Sequence, residues 1–305
     1  VADVLRLPAV KWRWRCCGGG GRRFGWELAR RGGLAAEKRI HLGAQASIVG
    51  HRFNRTITHA EYSLDPVLAL GQLEFQEKLV TSGSGVELAA GALVRLHDRW
   101  RAGASLFSPA WMSMSDAYVT RMRTGFRDMG GADDFDLEAS SPDGSFAYRL
   151  HTPWRATASA AYIAGGHGLV SIDYEYADLP AMRFGRSRRI DDSYDFAAEN
   201  AAIRSRFKPQ HSVRAGTEWR FGNWYARGGW GLVQDGWRKG DALAGSGRRT
   251  YALGGGHRGE HLAIDLALSW GVRGLRSYAY DPALVEPMDI DRSTMSTLLT
   301  LAFRP

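Results

Sequence analysis

Between Ser212 and Phe303 the sequence repeats one unit, an alternating strand, a turn of two or three residues and a second alternating strand, and turns that short join only antiparallel neighbours. In His261 to Val272, Leu262, Ile264, Leu266, Leu268, Trp270 and Val272 share one parity. His261, Ala263, Asp265, Ala267, Ser269 and Gly271 share the other. Ser212 to Leu232 has the same design. Val213, Ala215, Thr217, Trp219 and Phe221 lie on one side, Gly222-Asn223 turns the chain, and Trp224, Ala226, Gly228, Trp230 and Leu232 continue that side. Behind this apolar, tryptophan-edged face lie charges, glycine and alanine.

The pattern extends upstream. Phe24 to Ala29 reads as a short strand with Gly32 to Glu37 as its turn, and long strands then follow from Arg39. Arg99 to Phe126 reads as one strand bent at Pro109, with a mirror-image strand returning through Pro153 to Ile163. The irregular stretch from Ala177 to Gln210 contains a helix-like spacing over Asn200 to Phe207. Turns near residues 97, 166, 222 and 259 are short, and those near 67, 135, 190, 240 and 283 are long. The two kinds alternate, which predicts a barrel with short turns at the periplasmic end and long loops outside.

Alternation alone fits a soluble sheet with its apolar side inward as well as a membrane barrel with that side outward. Three features favour the membrane. The polar face mixes small residues with Arg95, Arg101, Glu87, Glu175 and Asp265, whereas a solvated outer face would be rich in lysine, and the chain has only five lysines. Aromatics beside the short turns (Trp100, Trp154 or Tyr162, Trp219, Phe221, Trp224) form part of an interfacial girdle. The last strand ends on Phe303. No run of 18 apolar residues occurs, which excludes a transmembrane helix and leaves strands of about 9 to 11 residues untouched. The fold class is therefore all-β, an antiparallel transmembrane β-barrel. The formal charge of +8 is scattered, arguing against a nucleic-acid partner.

GSGVELAAGALVRLHDRWRAGASLFSP, YRLHTPWRATASAAYIAGGHGLVSIDYEYADL, SVRAGTEWRFGNWYARGGW and STMSTLLTLAF together resemble the FadL-type outer-membrane transporters of long-chain fatty acids and small aromatic hydrocarbons, the Bacteroidetes-like branch most of all. The resemblance spans about Phe24 to Phe303. It implies a fourteen-stranded antiparallel barrel with an N-terminal plug, in the outer membrane of a Gram-negative bacterium, passing hydrophobic ligands by diffusion through its wall. Two departures stand out: about 11 of the expected 14 strands are present with no plug before them, and Arg304-Pro305 follows Phe303. The expectation is an N-terminally truncated chain, with 1–22 unassigned and 23–305 a partial barrel. Membrane lipids, lipopolysaccharide and a hydrophobic small molecule are the expected partners of a monomer.

A fatty acid needs an apolar cleft for its tail and a cation for its carboxylate. The lumen-facing Arg101, Arg155, Arg214 and Arg227 are the candidates, each with a plainer reading as a wall ion pair to Asp173, Glu175, Glu218 or Asp265. The alternative function is a general porin or structural barrel. No enzyme, cofactor or metal is expected: Cys16-Cys17 has no ligand partners at zinc spacing, the serines lack a nucleophile elbow, and Gly254-Gly255-Gly256 lacks the lysine and following helix of a phosphate loop, leaving close packing or a strand kink.

Overall fold

The computed structural model of the chain describes residues 21–36, 39–63, 70–126, 135–187, 194–278 and 282–303, with backbone alone for 21–36 and 135. Nearly all of segment 1–22, with Cys16-Cys17, lies outside the described residues. The strands are β1 (Gly21–Ala36), β2 (Ile40–Tyr62), β3 (Leu70–Arg95), β4 (Trp100–Phe107), β5 (Trp111–Phe126), β6 (Phe135–Ser140), β7 (Gly144–His151), β8 (Arg155–Ala164), β9 (Gly168–Ala177) and β10 (Arg183–Arg186). After a ten-residue helix α1 (Ala197–Arg206) come β11 (Gln210–Phe221), β12 (Trp224–Val233), β13 (Arg248–Arg258), β14 (Leu262–Ser277) and β15 (Met288–Phe303).

All fifteen strands join one antiparallel sheet. β4 with β5, β7 with β8 and β9 with β10 are halves of single wall strands, and β6 is a short return beside β5, so among the described residues eleven strands cross the wall, as the alternation predicts. Among the described residues no pairing joins β1 to β15, and the sheet is open there. One boundary differs: β1 runs through Gly32-Gly33 to Ala36 rather than turning there, because those glycines lie opposite Ala44 and Gly43, and the chain reverses only before Ile40. The short turns fall where expected. Gly165 and Gly222 each take φ 61°, the left-handed conformation that a tight hairpin needs and that glycine adopts without a side-chain clash.

The two faces settle which way the sheet is turned. In a soluble domain the apolar face would be covered, yet Leu266 is 47 % exposed, Trp270 53 % and Leu253 72 %. An apolar surface this continuous belongs against lipid. At the short-turn end of that face Trp100 packs on Tyr162 with centroids 4.8 Å apart, and Trp224 on His257 at 4.7 Å. Trp154 lies outside this girdle, packed instead on Tyr176 at 5.2 Å. Further along the strands Trp230, Tyr251 and Trp270 occupy one register row and form a second belt, which the sequence pattern alone does not reveal.

Burial is confined mainly to the opposite, lumenal face. Met112 and Met114 of β5 and Tyr148 of β7 meet Phe184 of β10 and Phe196, the residue before α1. Phe184 and Phe196 stack at 5.8 Å, so the start of α1 lies over the interior of the wall.

Face assignment has a measurable consequence. Leu268→Arg places a charge toward lipid and is expected to cost about 2–4 kcal/mol in urea unfolding from vesicles. Ala267→Arg, one residue away in the lumen row of Gly254 and Leu298, is expected to cost less than half as much.

Candidate functional site

The wall loses its regular ladder at one level, across four neighbouring strands. Between β3 and β4/β5, residues 87–88 stand opposite 108–110, one residue more, which is the definition of a bulge. Between β4/β5 and β7/β8 the register is kept, Phe107 facing Arg155 and Trp111 facing His151. Pro109 and Pro153 are the middle residues of the two facing triplets, so both amide donors are missing at the same place. Between β7/β8 and β9/β10, residues 152–154 stand opposite 178–182, where Leu179–Ala181 with Pro180 makes a single 3₁₀ turn.

Unpaired backbone groups at a lipid-facing wall cost several kcal/mol each unless something replaces the partner. Hydroxyls do so here. Ser108 Oγ accepts from the Leu88 amide at 3.0 Å and donates to the Pro109 carbonyl at 2.8 Å, while the Ser108 amide donates to the Leu88 carbonyl at 2.8 Å. The Ala110 amide donates to Thr152 Oγ1 at 2.8 Å. Trp154 Nε1 donates to Asp178 Oδ2 at 3.1 Å and closes the third gap. Ser141-Pro142 repeats the first arrangement against Thr120, so it is a local motif of Ser-Pro in a strand. From sequence Pro109 reads as a bend and Pro153 as a point the return strand passes through. The hydroxyl before each proline was the available signal for what replaces the ladder.

The gap opens into an apolar cavity of about 680 Å³. Leu88, Ala90 and Leu106 of the lipid-facing parity line it together with Ala89, Phe107, Ser108, Pro109 and Trp154. At its lumenal edge Arg155 Nη2 lies 2.9 Å from Glu87 Oε1, with the guanidinium carbon 4.7 Å from the Phe107 ring centre.

Of the four arginines named from sequence, none lines this cavity among the described residues, and Arg155 packs on Phe107, which does. Arg214 lies 3.5 Å from Glu175, and Arg227 bridges Glu218 at 2.6 Å and Asp265 at 2.7 Å. Arg101 faces Arg95 across β3 and β4, and among the described residues neither is in an ion pair. The four are spread over β4, β8, β11 and β12 rather than gathered. Near the short-turn end Tyr225 has Arg258 4.4 Å and Arg220 and Arg227 5.7 Å from its ring centre. Gly256, opposite both Tyr225 and Asp265, gives this network room: a Cβ there would lie 2.1 Å from Asp265 Oδ1. The glycine run of β13 thus serves close packing. His51 and His59 lie within β2 rather than at its ends, and among the described residues no three metal-ligating side chains converge.

Above the wall, α1 is held at both ends. Phe196 anchors its start in the lumenal cluster. At its end Arg206 donates twice to Asp241, at 2.8 and 3.0 Å, while Phe207 stacks on Trp237 with centroids 4.3 Å apart and Arg238 donates to the Arg204 and Phe207 carbonyls. The hydrogen bonds from Arg206 hold the Asp241 carboxyl below the usual carboxylate range.

Comparison by sequence finds no matching family and no matching curated protein. Solved structures do share the fold. A Pseudomonas aeruginosa FadL homologue superposes with a TM-score of 0.59 at 13% identity over 92% of this chain and 67% of that one. The Ralstonia pickettii toluene transporter TbuX gives 0.54 at 13% identity over 93% and 68%, and the CymD monoaromatic hydrocarbon channel 0.52 at 12% over 92% and 72%. At such identities the likeness is one of fold, and it bears out the FadL-type architecture read from the sequence.

Two outcomes follow for stability. Ser108→Ala strands the Leu88 amide and is expected to cost about 1–3 kcal/mol in urea unfolding, with Ser108→Thr restoring most of it. For Asp241 the folded pKa is the depressed one, so its contribution is complete above the unfolded carboxylate value and is lost as pH falls through the folded value. Proteolytic cleavage in 234–247 is therefore expected to rise steeply on acidification, and to be high already at pH 7 in Asp241→Asn.

Proposed function

We propose that this chain forms the wall of an outer-membrane channel for hydrophobic small molecules, of the fatty-acid and monoaromatic hydrocarbon class, in a Gram-negative bacterium. The supporting observation is the apolar cavity at the proline level, where the strand ladder is interrupted and residues of both strand parities contribute to the lining. An apolar solute leaving the lumen by that route never has to cross the water beneath the barrel, and it exchanges one apolar surrounding for another. The named neighbours are a FadL homologue, a toluene transporter and a monoaromatic hydrocarbon channel, and this chain carries the same architecture.

Within this reading the arginines divide by their pairing. Arg227 and Arg214 are neutralised by carboxylates and brace the wall. Arg155 sits where a ligand carboxylate would compete with Glu87, and Arg101 with Arg95 offers two guanidiniums without a carboxylate, the arrangement that best suits an anionic head. No chemical step is required. Transport is passive and a monomer suffices.

Liposomes carrying the protein test the proposal. Saturable uptake of oleate or toluene with retention of sugars is expected. Pro109→Ala combined with Pro153→Ala returns a donor to each facing strand and is expected to cut uptake at least about tenfold, a change worth 1.4 kcal/mol. Rapid sugar entry with unsaturable oleate flux would instead identify a general porin.

A further inference from the structure

On the lipid-facing parity, the rows just beyond Trp111 change character. Val86, Trp111 and His151 form the last row with large apolar groups. The next row is Gly50, Ser84, Ser113, Arg149 and Gly185, and the one after it Arg52, Ser82, Ser115 and Ala147. Cross-strand serines thus stand in two adjacent pairs, Ser84 with Ser113 and Ser82 with Ser115. Their small side chains leave a polar concavity of about 570 Å³ reaching Arg52 and Ser187.

Cations flank it on both sides. Arg52 on β2 stands at one edge, and Arg149 on β7 with Arg183 on β10 at the other. None of these three is in an ion pair or a side-chain hydrogen bond among the described residues, and no carboxylate lies in either row. By contrast Arg121 and Arg123, further from the belt, are paired with Glu138 and Asp136. Three strand spacings separate Arg52 from Arg149, about 14 Å.

We propose that this outer-wall concavity binds the headgroup of a phosphorylated glycolipid of the outer leaflet. The level is right: acyl chains lie against Leu88, Leu106 and Val86, Trp111 marks the interface, and the headgroup zone begins with the serines. The chemistry is complementary. Guanidiniums take phosphate oxygens in bidentate fashion, hydroxyls exchange hydrogen bonds with sugar hydroxyls, and the spacing of the basic edges suits a rigid sugar core carrying a phosphate at each end. Ordinary surface arginines facing water would be interspersed with acids, as they are around β6. The site rests on the barrel orientation proposed above but not on the identity of the transported molecule.

The test is native mass spectrometry of the detergent-solubilised full chain titrated with bisphosphorylated lipid A, phosphatidylglycerol or inorganic phosphate. Arg52→Gln/Arg149→Gln/Arg183→Gln is expected to weaken lipid A binding at least about tenfold, as loss of charge-assisted contacts requires, while Arg249→Gln on β13 leaves it unchanged. Should the triple variant not show the heat-modifiable migration of a folded barrel, Ser84→Leu/Ser113→Leu, which fills the concavity and keeps every charge, carries the same expectation. Unchanged lipid A affinity in a folded variant overturns the proposal, as does equal affinity for phosphatidylglycerol, which marks a generic lipid contact, or displacement by millimolar phosphate, which marks a free-anion site. A chain that folds without detergent removes the barrel reading itself, an outcome distinct from all of these.

Discussion

Every part of this structure answers to one constraint: a backbone amide or carbonyl facing lipid must find its partner within the wall. Antiparallel pairing supplies that partner along most of the eleven crossing strands. Where the prolines break the ladder, the hydroxyls of the preceding residues, Ser108 and Thr152, accept from the Leu88 and Ala110 amides, and the Asp178 amide donates to the Trp154 carbonyl. The wall is therefore interrupted with much of its polar backbone still paired.

The same constraint separates the tasks of the two faces. Large apolar groups face outward in a band, and the lumen holds charges that neutralise one another across strands, as in Arg227 between Glu218 and Asp265. These pairs are partly exposed, so each is worth little alone. Their contribution is geometric, fixing side chains across the interior where glycines such as Gly256 leave room. Phe196, at the start of α1, supplies what a hollow sheet lacks, a packed cluster with Met112, Met114 and Tyr148.

Strand parity and turn length were enough to read the fold, because period two and a two-residue turn each allow a single local geometry. Leu266 and Trp270 could be assigned to one face from spacing alone. What spacing cannot convey is which groups meet across non-adjacent strands. Arg155 pairing with Glu87, 68 positions earlier, depends on the register of β3 with β4 and of β4 with β8. The second aromatic belt of Trp230, Tyr251 and Trp270 is a register row of this kind. The glycines and alanine at Gly32 to Ala36 misled for a different reason, since glycine favours turns in general but here faces small residues across a strand pair.

The bulge has one further consequence. Below it the lumenal side chains of β4 and β8 are at odd positions, such as Phe107 and Arg155; above it they are at even ones, such as Met112 and Leu150, and β9 with Ala177 changes over to Phe184 in the same way. Three consecutive strands thus switch phase at one height, each through its own proline segment. The wall reads like a text with a compensated frame change: loss of one residue from 108–110 would leave two residues opposite 87–88, keep Met112 and Met114 lumenal, and move the mismatch to 152–154 on the next strand. Length variation in these segments is consequently not independent: the register of β4/β5 with β7/β8 is kept only where 108–110 and 152–154 change together.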